Sequence, residues 1–188
     1  MCHYAFCSHK EYVNEYEIHR QMDVLFKAPV IICRKLAPLM AKRDSGIIIN
    51  LSSLATLYPL PFMPIYNAGK SALSSFTQSM ILEYSNHPVF IDFRMGDVKT
   101  SFNDSAQKPT LYNCQTERAW EKIEKQLHHS ISPDYASQLI WKRIQKAHSG
   151  TTYGGTKFHG LFLPLFDRLL PFFIKVKLIK WWYGLHAS

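Results

Sequence analysis

Three polar residues near the middle of the chain have the types and the spacing of a site that reduces carbonyl groups: Ser53, Tyr66 and Lys70. Such a reaction needs a proton donor as hydride reaches the carbonyl carbon. A phenol can donate, but its ordinary pKa of about 10 is high for a group that must also accept a proton in the reverse direction. A nearby lysine ammonium lowers that pKa, and a serine hydroxyl can hold the substrate oxygen as it gains negative charge.

The segments around these residues predict how they come together. Residues 46–51 form a short, almost wholly apolar run rich in isoleucine, which predicts a strand buried on both faces, as in a parallel sheet. Ser53 follows that strand, while Tyr66 and Lys70 lie four residues apart and share one face of a predicted helix. Residues 89–93 predict a second strand, so strand, helix and strand form a right-handed βαβ crossover. Since ligands bind beyond the carboxyl ends of such strands, we expect the three polar groups to converge there.

The remaining segments complete an α/β pattern. Apolar residues at three- and four-residue steps predict a helix over 14–40, with a kink or a break at Pro29. The helix that begins at Tyr66 is expected to reach Tyr84. Polar residues over 95–114 predict a loop. We expect the later elements to be helices over 117–127 and 133–146, the second capped by Ser132, and a short strand within 150–156.

Together, the buried strand, the double serine and the Tyr-x-x-x-Lys pattern at the start of a helix resemble the short-chain dehydrogenase/reductase family. The resemblance implies a Rossmann-like parallel sheet and hydride transfer between NAD(P)H and a carbonyl or an alcohol. It also implies catalytic roles for Ser53, Tyr66 and Lys70, with Tyr66 as the acid and Ser53 as the partner of the oxyanion. Lys70 would lower the pKa of the phenol and hold the nicotinamide ribose.

A second segment carries the same resemblance. Residues 95–100 read M-G-D-V-K-T and are similar to the family's P-G-x-V-x-T segment, which lies beside the nicotinamide. A methionine replaces the proline, while the glycine, the valine and the threonine remain. The resemblance to the family implies NADP(H) as the cofactor, and the spacing of the cysteines and histidines predicts no metal site. The implied cofactor-binding residues are Tyr66, Lys70, Gly96, Val98 and Thr100.

Two departures separate the chain from the family pattern. Residues 22–29 resemble the family helix that reads D-V-N-V-K-A-P, and the family's catalytic asparagine, part of its proton relay, falls on Leu25. The glycine-rich T-G-x-x-x-G-x-G turn that binds pyrophosphate is absent from the sequence. We therefore expect the C-terminal half of the family domain, without its N-terminal cofactor-binding βαβ units. The alternative to an enzyme is a truncated, non-catalytic paralogue.

These patterns divide the chain into an N-terminal tail over 1–16, a partial short-chain dehydrogenase catalytic domain over 17–156, and a hydrophobic, aromatic C-terminal segment over 157–188. Residues 110–114, the helix after Ser132 and the aromatic tail resemble, within the family, fungal NADPH-dependent 1-acyldihydroxyacetone-phosphate reductases. That resemblance implies reduction of a lipid-linked ketone on endoplasmic reticulum or lipid droplets. Hydroxysteroid or retinol-type dehydrogenases are the alternative within the family.

The composition of the C-terminal segment independently favours a lipid setting. Its two apolar runs, 161–166 and 169–174, are each far shorter than the ~20 residues of a membrane-spanning helix. Lysines then adjoin tryptophans up to Tyr183, a composition suited to a membrane interface. A helix that closes the protein's own core or a dimer interface is the alternative. We expect a lipid-like substrate and peripheral attachment to a membrane or lipid droplet, or otherwise a cytoplasmic protein.

Composition also bears on other classes of protein. The net charge is +8, but the basic residues are spread over several segments without a nucleic-acid motif, so we expect no nucleic acid as a partner. The cysteines have irregular spacing without a zinc or disulfide pattern, and the first twenty residues lack an apolar signal sequence. We therefore expect a protein of a reducing, intracellular compartment. A free edge on the strand over 46–51 predicts a homo-oligomer or a poorly soluble chain.

Overall fold

A parallel sheet of three strands organises the part of the chain that the computed structural model describes, residues 14–100, 114–156 and 158–185. For residues 114–116 only the backbone is described. Cys2, Cys7 and most of the loop predicted over 95–114 lie outside these ranges. The α-helices and strands are, in chain order, α1 (Glu15–Met22), α2 (Ala28–Lys42), β1 (Ile47–Ser53), α3 (Pro64–Glu83), β2 (Val89–Met95), α4 (Cys114–His128), α5 (Pro133–Gln145), β3 (Gly150–Gly154), α6 (Leu163–Leu169) and α7 (Phe172–Tyr183). Shorter helical turns cover Asp23–Lys27, Leu54–Thr56 and Phe158–Phe162.

Both strand pairs of the sheet are parallel, which confirms the α/β class predicted from the sequence. β1 pairs with β2 along its whole length, with Ser53 opposite Met95. The other side of β2 pairs with β3, so that Gly154 also lies opposite Met95. Parallel neighbours need a crossover connection, and α3 connects β1 to β2 while α4 and α5 connect β2 to β3. The same ends of all three strands therefore lie side by side.

The central and the edge strand differ in burial, and this corrects one prediction. β2 lies between two neighbours, and its Phe90, Ile91 and Phe93 are at most 1% exposed. β1 has one neighbour among the described strands; its isoleucines are half-buried, and Leu51 is 44% exposed. The prediction that the strand over 46–51 is buried on both faces is therefore wrong. An edge strand has a neighbouring strand on one side only, so it is less covered than a central strand. The homo-oligomer expected from this edge stays a prediction.

The predicted break near Pro29 is a wider helical turn just before that proline. Residues Asp23–Lys27 form a π-helical turn between α1 and α2, and Pro29 lies in the first turn of α2. A proline is tolerated there because the first N–H groups of a helix have no intrahelical partner. Ser132 caps α5 as predicted, since its hydroxyl oxygen accepts the N–H of Tyr135 over 3.2 Å.

Two apolar clusters cover the two faces of the sheet. On one face, Cys33 and Ala37 of α2 pack with Phe90 of β2. On the other face, Ile91 and Phe93 pack against side chains of α5. Neighbouring residues of a strand point to opposite faces, which is why Phe90 and Ile91 belong to different clusters. The sheet is thus held between helices, and its carboxyl end is left for the functional site.

A third cluster joins the C-terminal helices to the rest of the structure. Met63, just before α3, packs with Trp120 and Ile123 of α4 and with Tyr183 at the end of α7. The C-terminal helices otherwise expose many apolar side chains, with Phe172 75% exposed. Across the described ranges, none of the helices has both the length and the hydropathy needed to cross a membrane.

Candidate active site

The carboxyl ends of the three strands meet where the sequence predicted a ligand site. Ser53 is the last residue of β1, and Gly154 is the last residue of β3. Gly96 follows the end of β2, and its N–H donates to the Gly154 carbonyl oxygen over 2.8 Å. Open α/β sheets bind their ligands at this end.

The two adjacent serines at the end of β1 have different roles. Ser53 Oγ accepts the N–H of Ala55 over 3.1 Å and so caps the short turn Leu54–Thr56. This bond orients the hydroxyl, whose own hydrogen can donate to a ligand. Ser52 Oγ instead donates to Asp92 Oδ1 over 2.5 Å. Because the side chains of a strand alternate in direction, the Ser52 hydroxyl points into the interior and the Ser53 hydroxyl points toward the site.

Asp92 centres a buried polar network that fixes the end of β1 against α3 and β2. Its carboxylate is fully buried and accepts hydrogen bonds from Ser52, from Ser74 Oγ over 2.7 Å and from Arg94 Nε over 3.0 Å. A buried carboxylate is tolerated when it is paired and hydrogen-bonded, and both conditions hold here. The network positions Ser53 by fixing the residue before it. No sequence pattern predicted this network, although an aspartate inside an apolar strand is itself a sign of a buried partner.

Tyr66 and Lys70 lie one turn apart near the start of α3, as predicted. Lys70 Nζ donates to the carbonyl oxygen of Leu51 over 2.7 Å, which anchors the ammonium at the end of β1. The same Nζ lies 6.0 Å from the centroid of the Tyr66 ring. That ring is half-buried against the apolar cluster that contains Trp120 and Tyr183. The cation therefore lies beside the phenol that it is predicted to assist.

Leu25 packs on α3 next to these two residues. A Cβ atom built at Gly69 would lie 2.9 Å from the Leu25 Cβ, so the glycine lets the π-helical turn Asp23–Lys27 approach α3 closely. Gly69 directly precedes Lys70. The position that resembles the family's relay asparagine thus lies at the predicted site, but its hydrocarbon side chain cannot form a hydrogen bond to water.

A cavity of about 500 Å³ lies beyond the strand ends. The wall of the cavity is mainly apolar, and α6 and α7 contribute much of its apolar surface, including Phe166, Leu178 and Trp181. Such a size and such a wall are usual for sites that bind small molecules. Ser53 is the member of the predicted triad that lines the cavity, while Tyr66 and Lys70 lie outside its wall. The polar side chains of the wall are Ser53, Tyr58, Asp97, Gln126, His159 and Tyr183.

Gly96, Asp97 and His159 form the polar end of the cavity. A Cβ at Gly96 would lie 3.0 Å from His159 Nδ1 and 3.1 Å from the carbonyl oxygen of Gly154, so a larger residue would displace one of them. His159 Nδ1 is buried and has no hydrogen-bond partner within the described ranges. Burial raises the pKa of the Asp97 carboxyl, and positive charge on His159 offsets part of that rise. Burial also raises the pKa of Tyr183, and the negative charge of Asp97 raises it further.

The predicted cofactor segment starts at the cavity and continues into a backbone contact. Gly96 lines the cavity. Val98 forms a parallel bridge with Ile131, whose carbonyl oxygen accepts the N–H of Lys99 over 2.9 Å. Thr100 is exposed and ends the first described range. His159 was not predicted as a site residue, because 63 positions separate it from Gly96 in the chain and no local pattern connects them.

Comparisons with known proteins agree with the resemblance found in the sequence. The profile of a family described as short chain dehydrogenase matches residues 6–110, more than half of the chain. The chain belongs to the short-chain dehydrogenase family. It is 33% identical over 145 residues to a 3-ketodihydrosphingosine reductase of Bacteroides thetaiotaomicron, a match that covers 72% of this chain and 53% of that protein. It is 32% identical over 80 residues to a very-long-chain 3-oxoacyl-CoA reductase of Mus musculus, covering 43% of this chain and 26% of that protein.

Among solved structures, the crystal structure of an acetoin dehydrogenase from Enterobacter cloacae is similar. Its TM-score is 0.46 at 24% sequence identity, and the match covers 54% of this chain and 42% of that one. The chain spans about half or less of the length of these relatives.

Proposed function

We propose that this family member is an NADPH-dependent reductase that converts a lipid-linked ketone to a secondary alcohol. The observation that carries the proposal is the cavity beyond the strand ends, whose wall combines the Ser53 hydroxyl with an extensive apolar surface from α6 and α7. A substrate with a small polar part and a hydrocarbon chain suits such a wall. The names of two relatives, a 3-ketodihydrosphingosine reductase and a very-long-chain 3-oxoacyl-CoA reductase, support the same class of substrate.

The proposed reaction gives each predicted catalytic residue one task. NADPH, when bound, supplies the hydride that reaches the carbonyl carbon. Tyr66 lies outside the described cavity wall, so the substrate carbonyl has to extend from Ser53 toward the start of α3 for the phenol to donate its proton to the carbonyl oxygen, a step that leaves a secondary alcohol and NADP⁺. Ser53 donates a hydrogen bond to the same oxygen while it gains negative charge. Lys70, anchored by the Leu51 carbonyl, stabilises the phenolate that remains on Tyr66.

The residues assigned to the cofactor suit its nicotinamide end. An ammonium has three N–H donors, so Lys70 can bond a ribose hydroxyl while it keeps its bond to Leu51. Gly96 presents backbone to the cavity, since a side chain there would meet His159 and Gly154. Val98 and Thr100 complete this set as the continuation of the same segment.

The substrate that the sequence resemblance implies, 1-acyldihydroxyacetone phosphate, is one member of the proposed class. Hydroxysteroids and retinoids, the alternatives within the family, also place a carbonyl or an alcohol on a large apolar body. The phosphate distinguishes the first from the others. The charge of the cavity wall is therefore the property that discriminates between them.

Oxidation of NADPH by the purified chain, with a long-chain ketone as substrate, tests the proposal. We expect NADPH to be oxidised only when the ketone is present. Tyr66→Phe should lower the rate by about 100-fold or more, which is the usual contribution of a general acid. Tyr84→Phe is the matched control, because Tyr84 lies at the other end of the same helix, against Phe90. The control should keep the activity of the wild type.

Two results would contradict the proposal. The first is equal activity of the wild type and Tyr66→Phe. The second is a wild-type chain that neither oxidises NADPH nor binds it at saturating concentrations. That second result would favour a non-catalytic member of the family. Leu25 supports this alternative, because it occupies the position of the family's relay asparagine and packs on Gly69.

We also propose that residues 158–183 attach the protein to an anionic phospholipid membrane, such as that of the endoplasmic reticulum. Leu169, Phe172 and Phe173 are more than 60% exposed and lie outside the cavity wall. Lys177 and Lys180 of α7 are exposed on the same segment. Aromatic and aliphatic side chains beside lysines enter the headgroup region, where the lysines interact with anionic lipids.

Flotation of the protein with lipid vesicles tests this attachment. The wild type should float with vesicles that contain phosphatidylserine and much less with pure phosphatidylcholine. Replacing Phe172 and Phe173 by serine should remove most of the binding. Leu82→Ser is the matched control, because Leu82 is 85% exposed on α3, outside the segment. Undiminished flotation of the double variant, or equal flotation with both kinds of vesicle, would contradict the proposal.

A further inference from the structure

The cavity has a buried floor and an exposed mouth. Its floor lies at the strand ends and consists of Ser53, Leu54, Ala55 and Tyr183, each at most 9% exposed. Five apolar or aromatic wall residues from the C-terminal part are instead between 42% and 64% exposed and form the mouth: Phe158, Phe166, Leu178, Trp181 and Trp182. The cavity is therefore closed at the strand ends and opens among apolar side chains of the C-terminal part.

The mouth is continuous with the apolar surface assigned to the membrane. Phe158 of the mouth stacks on Phe162, which is 46% exposed and lies outside the cavity wall, with the two ring centroids 6.2 Å apart. Phe166 of the mouth lies three residues before Leu169, so these two side chains are neighbours on the surface of α6. A membrane that contacts Leu169 therefore also covers the mouth.

The charges around the mouth suit an anionic lipid layer. Lys177 and Lys180 are exposed on α7, and each directly precedes a residue of the mouth. Asp167 is the one acidic residue of the sequence over 158–185, and Lys175 pairs with it over 2.7 Å. Positive charge therefore exceeds negative charge beside the mouth, which favours contact with anionic headgroups.

Contacts with other parts of the fold fix the helices that border the mouth. The Tyr58 hydroxyl donates to the carbonyl oxygen of Leu163, at the start of α6, over 3.1 Å. Lys122 of α4 donates to the carbonyl oxygen of Trp182, and its Nζ lies 5.7 Å from the centroid of that ring. The mouth is therefore an opening formed by the fold itself.

We propose that the mouth opens into the lipid layer and that the ligand of the cavity enters from the membrane, so that its hydrocarbon chain does not cross water. This rests on the membrane attachment proposed above and adds the route by which the site is filled. A cavity of about 500 Å³ has the size of sites for drug-sized molecules, so a long-chain lipid whose polar head reaches Ser53 extends beyond the mouth. Acyl chains of the membrane cover that outer part, whereas its exposure to water would oppose binding.

A photoreactive long-chain ketone, para-dodecylbenzophenone, tests the proposal. It is incorporated into phosphatidylserine vesicles and irradiated in the presence of the full chain, and the cross-linked residues are mapped by mass spectrometry. We expect label on the floor of the cavity, at Leu54, Ala55 or Tyr183, as well as at the mouth. Replacing Phe172 and Phe173 by serine should lower the floor label by about tenfold or more, because a dodecyl chain hardly leaves a lipid layer for water.

Benzophenone without the chain, added from water in the absence of vesicles, is the control for the cavity itself. It should label the floor equally in the wild type and the double variant, since neither Phe172 nor Phe173 lines the cavity. A double variant that loses the floor label with both probes has lost the cavity. Leu169→Ser, at a third exposed position outside the wall, then takes its place.

Two results would overturn the proposal. The first is a wild type whose floor acquires no label from the vesicles. The second is floor label from the vesicles that persists when the exposed side chains are replaced, because the probe would then reach the cavity through water. Flotation without floor label would separate failure of this route from failure of the membrane attachment. Since no nicotinamide enters the measurement, the reductase proposal can fail or stand independently.

Discussion

The end of β1 and the C-terminal wall of the cavity differ in whether their buried polar groups are hydrogen-bonded to other described residues. Beside the end of β1, the carboxylate of Asp92 on β2 is fully buried and accepts hydrogen bonds from three side chains, one of which is Ser52 of β1. In the cavity wall, the buried Nδ1 of His159 lacks a hydrogen bond to another described residue. A satisfied network stabilises one arrangement, whereas unsatisfied groups cost stability and are retained where a ligand uses them.

The two regions also differ in the burial of their apolar side chains. The sheet buries its apolar side chains between helices, as Phe90 and Ile91 do on its two faces. The C-terminal helices expose theirs, with Phe172, Phe173 and Leu169 all above 60% exposure. The difference separates a packed sheet, at whose end the predicted catalytic residues lie, from a C-terminal part whose exposed apolar side chains are proposed to enter a membrane surface.

The largest expected effect comes from breaking the Asp92 network. Asp92→Ala should lower the free energy of unfolding by about 3–5 kcal/mol, because Arg94 and two hydroxyls would remain buried without their partner. Asp167→Ala breaks the ion pair between Asp167 of α6 and Lys175 of α7 and should cost about 1 kcal/mol or less, because that pair is partly exposed. Urea denaturation of both variants measures the difference. Similar losses in the two variants would remove the contrast between the regions.

A smaller effect is expected where a glycine meets the core. A Cβ at Gly154 would lie 2.8 Å from Phe93 Cζ, within the buried cluster, so Gly154→Ala should cost about 1–3 kcal/mol through overpacking. Phe93→Leu in the same chain should recover part of that loss, a coupling that a double-mutant cycle measures. In the C-terminal part, Gly160 has space for a Cβ, since its closest neighbour would be 3.7 Å away. Gly160→Ala should be neutral or slightly stabilising, and a loss as large as that of Gly154→Ala would contradict the comparison.

The elements that the sequence predicted well depend on neighbours along the chain. The isoleucine run predicted β1, and the Ser132-Pro133 pair predicted the start of α5, because strand propensity and helix capping are local properties. Tyr66 and Lys70 share a helix face for the same reason. Each of these predictions needs only the spacing between residues that are close in sequence.

The parts that the sequence did not predict depend on distant partners. The bond from Ser52 to Asp92 joins residues 40 positions apart, and the approach of His159 to Gly96 joins residues 63 apart. No periodicity or motif connects such pairs before the chain is folded. The prediction that β1 is buried on both faces was wrong for the same reason, since the burial of a strand depends on its neighbours and not on its own composition.

Replacement of Asp97 is expected to change the free energy of unfolding in the opposite direction to replacement of Asp92. Burial raises the pKa of Asp97 above its ordinary value of 3.8, so the ionised carboxylate lowers the stability of the folded chain above the raised pKa. Asp97→Asn should therefore increase the free energy of unfolding at pH 7.5, by up to about 1 kcal/mol. The gain should shrink as the pH falls through the raised pKa and should vanish well below 3.8, where both states bind the proton. Denaturation curves at several pH values test this. A negative difference would mean that Asp97 stabilises the fold, and a positive difference that does not change with pH would mean that the ionisation of Asp97 does not cause the gain.

The smallest expected effect on stability concerns the residues assigned to the membrane. Phe172 and Phe173 are 75% and 62% exposed, so their replacement by serine removes little buried apolar area and should change the free energy of unfolding by less than about 0.5 kcal/mol. A chain that unfolds like the wild type but no longer floats with anionic vesicles would assign the two rings to an external partner. A loss above 1.5 kcal/mol or so, the cost of uncovering a large core side chain, would place them in the protein's own core and remove the distinction between platform and surface.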